Sequence, residues 1–315
     1  MHLLIPFASA ASEAAEASTH VLRDLALPQL ARLTARLAAA PRDSGESDSL
    51  TPPHERALAA AWGWRGGDGC FPFAAQAAQS DGIDVGTRAW GLLTPAHWLL
   101  GRDHVLLADP DALDLDEAES RALFEAVHPL FESEGFTLTW GAPQRWYAAH
   151  EILTDLPCAS LDRVIGRRIE TWLAESRGHA SSRLMRRLQS EVQMMLYPHP
   201  VNEAREARGV PTVNSFWLSG CGRHQPADAA AVQVERSLRA PLLAQDWAAW
   251  ADAWRALDAG PIAALLRRAQ AGEPVVLTLC GERHAQRFES ARRSFFERAT
   301  QRWSAPAPDR VLEAL

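Results

Sequence analysis

The chain contains no lysine: all 32 of its basic residues are arginine, set against 39 acidic residues and a formal charge of −7. That balance argues against the broad basic face that neutralises nucleic-acid phosphates, and leaves local arginine clusters suited to small anions. Arginine-only usage beside abundant alanine and leucine reads as a high-GC bacterial coding bias and carries no functional weight. Cysteine is scarce too. The four, at 70, 158, 221 and 280, include no Cys-x-x-Cys pair, so neither a disulfide framework nor a structural zinc site is expected, and a reducing cytoplasm is the simplest compartment. No run approaches the roughly eighteen uncharged apolar residues of a membrane span. The N-terminal MHLLIPFASAASEAAEAS lacks a basic n-region and soon meets Glu13 and Glu16, so Leu3 to Phe7 reads as a buried first strand. Also missing are a G-x-S-x-G elbow, an H-E-x-x-H or H-x-H cluster, and a G-x-G-x-x-G fingerprint; the GGDG at 66–69 follows no strand and reads as a turn.

What is present is 315 residues with 47% hydrophobic content, enough for one large domain or two modest ones. Residues 11–40 read as alanine- and leucine-rich helices broken near Pro28, and 41–53 as an exposed loop and the best linker. Residues 87–150 form a distinct α+β stretch. Its strands are expected at Thr87–Leu93, His104–Ala108 and Phe136–Trp140, with a helix capped by Asp114 and followed by Glu117. The acidic run from Asp109 to Glu119 lacks the spacing of a calcium loop and reads as helix-start acidity. Downstream, Val232–Leu243 reads as a strand, and Trp247, Trp250 and Trp254 share one helix face as core. Val275–Leu279 suits a central parallel strand. Helix and strand alternate, so an α/β sandwich is expected.

Polar and aromatic side chains crowd between Arg183 and Gly222. An amphipathic helix carrying Leu184, Leu188, Val192 and Met195 runs into Tyr197-Pro198-His199-Pro200, where two prolines end it. Asn202, Arg205 and Arg208 follow on a helical turn, then Val213–Leu218 in a strand pattern ending at Gly220-Cys221-Gly222. A helix, a proline corner, an Asn/Arg turn and such a strand suit an anion or sugar-phosphate pocket, because guanidinium grips carboxylate or phosphate in a fork and Asn both donates and accepts. The other reading is that Arg205 and Asn214 only tie the corner to the strand. Asp162, Arg163, Arg167 and Arg168 form a second polar group, for local pairing or for a ligand. Cys280-Gly281-Glu282-Arg283-His284 lies after an apolar strand, where α/β sheets bind ligands.

His199-Pro200-Val201-Asn202, Arg205, Gly209 and Asn214-Ser215-Phe216-Trp217-Leu218-Ser219-Gly220 resemble the HPxN…R…G…N-S-x-W-x-x-G stretch of archaeal-type cofactor-independent phosphoglycerate mutases and their bacterial relatives. TPAHW (94–98), SLDRVIGR (160–167) and LQSEVQMMLYPHPVN (188–202) resemble a proteobacterial group described both as phosphoglycerate mutase and as the E-type regulatory protein of the pathogenicity-factor cluster. The resemblance implies an alkaline-phosphatase-like three-layer α/β/α core, truncated, over 1–86 and 158–315, with an inserted α+β subdomain at 87–157. Such mutases hold two divalent metals, manganese or zinc, with Asp and His beside a phosphoryl-carrying serine. Here Leu3–Ala8 ends without the aspartate, no Asp-Ser pattern follows, and Glu282 and His284 stand at compressed spacing. The expectation is therefore a catalytically degenerate relative that binds a small phosphorylated or carboxylate ligand, or a protein partner. Its ligand-binding candidates are Asp162, Arg163, Arg167, His199, Asn202, Arg205, Asn214 and Trp217, with no metal ligand assigned. An active manganese- or zinc-dependent phosphoryl-transfer enzyme and a protein-interaction module are the alternatives.

Overall fold

A computed structural model describes residues 1–10, 15–173, 180–228, 231–290 and 307–315. The chain is an α/β protein that divides into two compact units, residues 1–47, 52–63 and 228–315 in the first, and 48–51 and 64–227 in the second. The boundaries expected at 86/87 and 157/158 both fall inside the second unit, which takes in the whole of 64–227.

In the first unit the sheet is built on His2–Ile5, which runs parallel to Val232–Val234 on one side and to Val276–Cys280 on the other. His284–Glu289 continues it antiparallel and ends on the short strands Ala38–Ala39 and Asp43–Ser44. Alternation along the strands sends Leu3, Ile5, Leu277 and Leu279 to one face. There they pack with Leu30 and Leu33 from helix Pro28–Thr34, Trp250 and Trp254 from helix Trp247–Leu257, and Leu265 and Leu266 from helix Ala263–Gln270. Leu4, Thr278 and Cys280 are buried on the opposite face, where helix Pro53–Ala61 lies against the same strands. The tryptophan stripe is core, as expected, and trimming Trp250 or Trp254 to alanine costs about 3–5 kcal/mol. Buried Asp258 accepts from Gln29 N at 3.1 Å and Leu30 N at 2.8 Å, capping a helix whose own N-cap, Leu27, has no side-chain acceptor.

Two sequence expectations are corrected here, one in this unit and one at its border with the second. The strand read across Val232–Leu243 stops at Val234; polar Glu235-Arg236-Ser237 breaks it, and Arg239–Leu243 is a helix with Pro241 in its first turn. The loop at 41–53 is not wholly exposed: Leu50 and Thr51 are buried, in the second unit, with their amides held at 2.8 Å by the Asp68 carboxylate. The chain passes between the units on either side of this short stretch.

The second unit is a four-stranded antiparallel sheet in the order Thr137–Ala142, Arg145–Ala149, Ala89–Ala96, Ser215–Arg223. Helices Glu117–Ser133 and Ala180–Leu196 cover one face through Leu123, Val127, Leu188, Val192 and Phe216. Helix Phe73–Ser80 covers the other, its alanines letting it approach Trp90 and Tyr147 closely. The cap of Glu117–Ser133 is Asp116, whose carboxylate accepts from Glu119 N at 2.8 Å. Asp114, expected in that role, takes left-handed backbone (φ 45°), because buried Leu113 and Leu115 both turn inward around it.

Candidate functional site: an arginine-lined groove in the second unit

All eight ligand-binding candidates lie in the second unit, and most of their polar atoms bind the protein itself. His199 caps helix Pro200–Ala207, its Nδ1 accepting from Val201 N at 3.2 Å, and Pro200 fits the first helical turn, where no donor is needed. Asn202, 2% exposed, donates to Leu196 O and Val213 O at 2.8 Å and accepts from Val213 N at 2.9 Å. It ties the helix end to the strand across the proline corner. Arg205, 1% exposed, donates through Nε to Pro211 O at 2.8 Å and through its other nitrogens to Leu113 O and the Glu119 carboxylate. Glu119 also takes Arg208. All three guanidinium nitrogens of Arg205 are engaged inside the fold. Trp217 is buried, with Nε1 donating to Ala159 O at 2.9 Å. Arg163, also buried, donates to Ser49 O at 2.8 Å and lies 5.3 Å from the Trp172 ring centroid. Asp162 and Arg167 are half-buried.

Asn214 leads to the groove. Its Oδ1 accepts from Trp98 N at 2.7 Å and its Nδ2 donates to Trp98 O at 3.0 Å, a two-point clamp on one residue's backbone. Trp98 forms one wall of a cavity of about 570 Å³, whose other wall is helix Ala180–Leu196, through Arg183, Arg186, Arg187, Gln189 and Gln193. Arginines at i, i+3 and i+4 share one helix face, opposite the buried Leu188 and Val192. Arg187 is paired with Glu134 at 2.6 Å. Arg183 is exposed and has no hydrogen-bond or ion-pair partner among the described residues. The indole Nε1 of Trp98 is buried and equally unpartnered. Three guanidinia, two carboxamides and the Trp98 ring thus stand around one cavity, with Gln189 Nε2 also donating to Phe216 O at 3.4 Å.

These arginines lie inside the stretch the sequence singles out, between the candidates Asp162, Arg163 and Arg167 on one side and those from His199 to Trp217 on the other. The available signal was the polar stripe 183, 186, 187, 190 and 193, the complement of the apolar stripe on the same helix. Met195, expected on the apolar face, is 38% exposed; Leu196 takes the buried position.

Three of the four thiols, Cys158, Cys221 and Cys280, are buried, and Cys70 is half-buried. Cys221 lies 3.5 Å from Cys158, and that hydrogen bond, followed by burial, pushes its thiol well above the usual range. Burial pushes Cys280 up as well. In the first unit the ends of strands His2–Ile5 and Val276–Cys280 present Phe7, Ala8, Cys280 and Gly281. Ala8 N donates to Cys280 O at 2.8 Å, the Phe7 ring packs on His54, and Arg283 N and His284 N donate to Leu315 O. Burial first, and then Arg42, Arg283 and Arg56, hold the His284 imidazole below its usual value. Those residues do not fit a two-metal centre: no carboxylate stands at the end of the first strand. Among the described residues no three His, Cys, Asp or Glu side chains converge as metal ligands.

The chain is thus an α/β protein with an arginine-lined groove in its second unit. No family model and no curated protein matches the chain. Among solved structures it is similar to a cofactor-independent phosphoglycerate mutase from Thermoplasma acidophilum DSM 1728, at 13% identity over 91% of this chain and 89% of that one, with a TM-score of 0.37. It is also similar to the PH0037 protein from Pyrococcus horikoshii, at 15% identity over 92% and 87%, with a TM-score of 0.42. At these values neither likeness assigns this chain an activity or a ligand. No described helix is long and apolar enough to cross a membrane.

Proposed function

We propose that the chain is a phosphoglycerate mutase-like protein without the two-metal phosphoryl-transfer centre, acting as a binding or regulatory protein for a small phosphorylated or carboxylate anion. The observation that carries the reading is the arginine-lined groove, with Arg183 at its edge and without a partner among the described residues. A solvated guanidinium beside two others attracts a dianion, and an adjoining indole and two carboxamides orient it. The strand ends of the first unit support the loss of catalysis, since two-metal transfer needs most of its ligands and Phe7, Ala8 and Cys280 offer no carboxylate.

Thermal unfolding in the presence of inorganic phosphate, 3-phosphoglycerate and simple carboxylates tests the proposal. A ligand at a hundred times its Kd adds about 2.7 kcal/mol to the state that binds it. That raises the melting temperature by roughly 5–10 °C for a unit of this size. The shift should shrink sharply in Arg183→Ala, and neither mutase nor phosphatase turnover should appear when manganese or zinc is supplied. Turnover, or an undiminished shift in the variant, would sink the reading.

A further inference from the structure

The groove has an inner extension. A narrow slot of about 30 Å³ shares Leu173, Arg186 and Gln189 with it and runs inward between Trp172, Met185 and Trp217. Ser182 lines this slot, 1% exposed, and its hydroxyl has no hydrogen-bond partner among the described residues. A buried hydroxyl without a partner is uncommon, because it loses its water and gains nothing in return. The site is thus divided in chemistry, cationic and open at the mouth, apolar and aromatic within, with one unsatisfied hydroxyl inside.

We propose that groove and slot together bind a hydroxylated single-ring aromatic carboxylate, the carboxylate on Arg183 and Arg186 and the ring directed between Trp172, Met185 and Trp217 with its hydroxyl on Ser182. This rests on the anion-binding reading of the groove and names the ligand class. Each part of the ligand answers one part of the site. Guanidinium forks hold the carboxylate. Two indoles and a thioether attract a ring by edge and face contacts. The slot as it stands has room for about two water-sized groups, which admits the leading edge of one ring and refuses a long chain. The ring hydroxyl supplies the partner that Ser182 lacks, and a ligand without it leaves that group unsatisfied.

Calorimetric titration of the full chain with 4-hydroxybenzoate, benzoate, acetate and inorganic phosphate separates the possibilities. The inference expects 4-hydroxybenzoate to bind about tenfold tighter than benzoate, the worth of one well-placed hydrogen bond. In Ser182→Ala that preference should vanish while benzoate affinity is kept. Saturation-transfer NMR should show the ring protons beside the hydroxyl as the most deeply buried. Equal affinity for 4-hydroxybenzoate and benzoate, or a preference that survives in Ser182→Ala, overturns the inference. If phosphate or acetate binds in an Arg183-dependent way without that preference, the anion groove stands and the aromatic ligand falls; if no anion binds, both fall.

Discussion

Arg205 is engaged inside the fold through all three guanidinium nitrogens, and its substitution separates scaffold from site. The Arg205→Ala variant removes a guanidinium that is 1% exposed and binds Pro211 O, Leu113 O and the Glu119 carboxylate. Removing one partner of a buried ion pair costs roughly 3–5 kcal/mol, because the remaining charge and carbonyls are left without donors. Glu119 keeps Arg208 and is only partly covered, which places the expected loss near the lower end, about 3 kcal/mol. Arg205→Lys should recover only part of it, since an ammonium cannot span three acceptors in a planar fork. Urea unfolding measures both variants. Where the Arg205→Ala protein remains folded, its affinity for phosphate should match the wild type, because Arg205 does not line the groove. A variant as stable as wild type that had lost anion binding would refute the assignment of Arg205 to the scaffold.

Asn214→Ala should loosen Trp98 rather than the fold as a whole: two hydrogen bonds to its backbone disappear, and anion affinity should fall several-fold by calorimetry with the melting temperature lowered modestly. His2 predicts a pH dependence in the first unit. Burial, with Arg287 and the N-terminal amine adding to it, lowers its imidazole to about 4 from 6.5. The unfolded chain therefore binds the proton first as pH falls, so the contribution is complete above about 6.5 and is lost toward 4. The gap is worth up to roughly 3 kcal/mol, and in His2→Gln the slope of stability between those pH values should flatten.

The elements that short-range pattern governs were legible in the sequence. Leu3 to Phe7 reads as a strand and His2–Ile5 is one; Trp250 and Trp254 read as core and are buried; the proline corner ends its helix at Leu196. Where local signals competed, tertiary context decided. Asp114 and Asp116 both offer a helix cap, and only the packing of Leu113 and Leu115 selects the second. The unit boundary near 47–52 coincides with the predicted linker, but nothing in its composition foretells that Asp68 holds Leu50 and Thr51. At the site, residue type pointed to the stretch that carries the groove's arginines, and the side chains it singled out bind other parts of the fold. Asn202 and Arg205 look like ligand-binding groups because they carry several donors, and those donors are what the proline corner needs. The three arginines of the long helix form a polar stripe that in sequence reads only as a water-facing side; it takes Trp98, held from 116 residues away by Asn214, to close a cavity over them.

The most direct test of the account is titration of 3-phosphoglycerate, with manganese present, into the wild-type protein and the Arg183→Glu variant. The account predicts saturable binding without phosphoryl transfer in the wild type, and no binding in a variant whose melting temperature is unchanged. Equal binding by both proteins, or measurable transfer by the wild type, would contradict it.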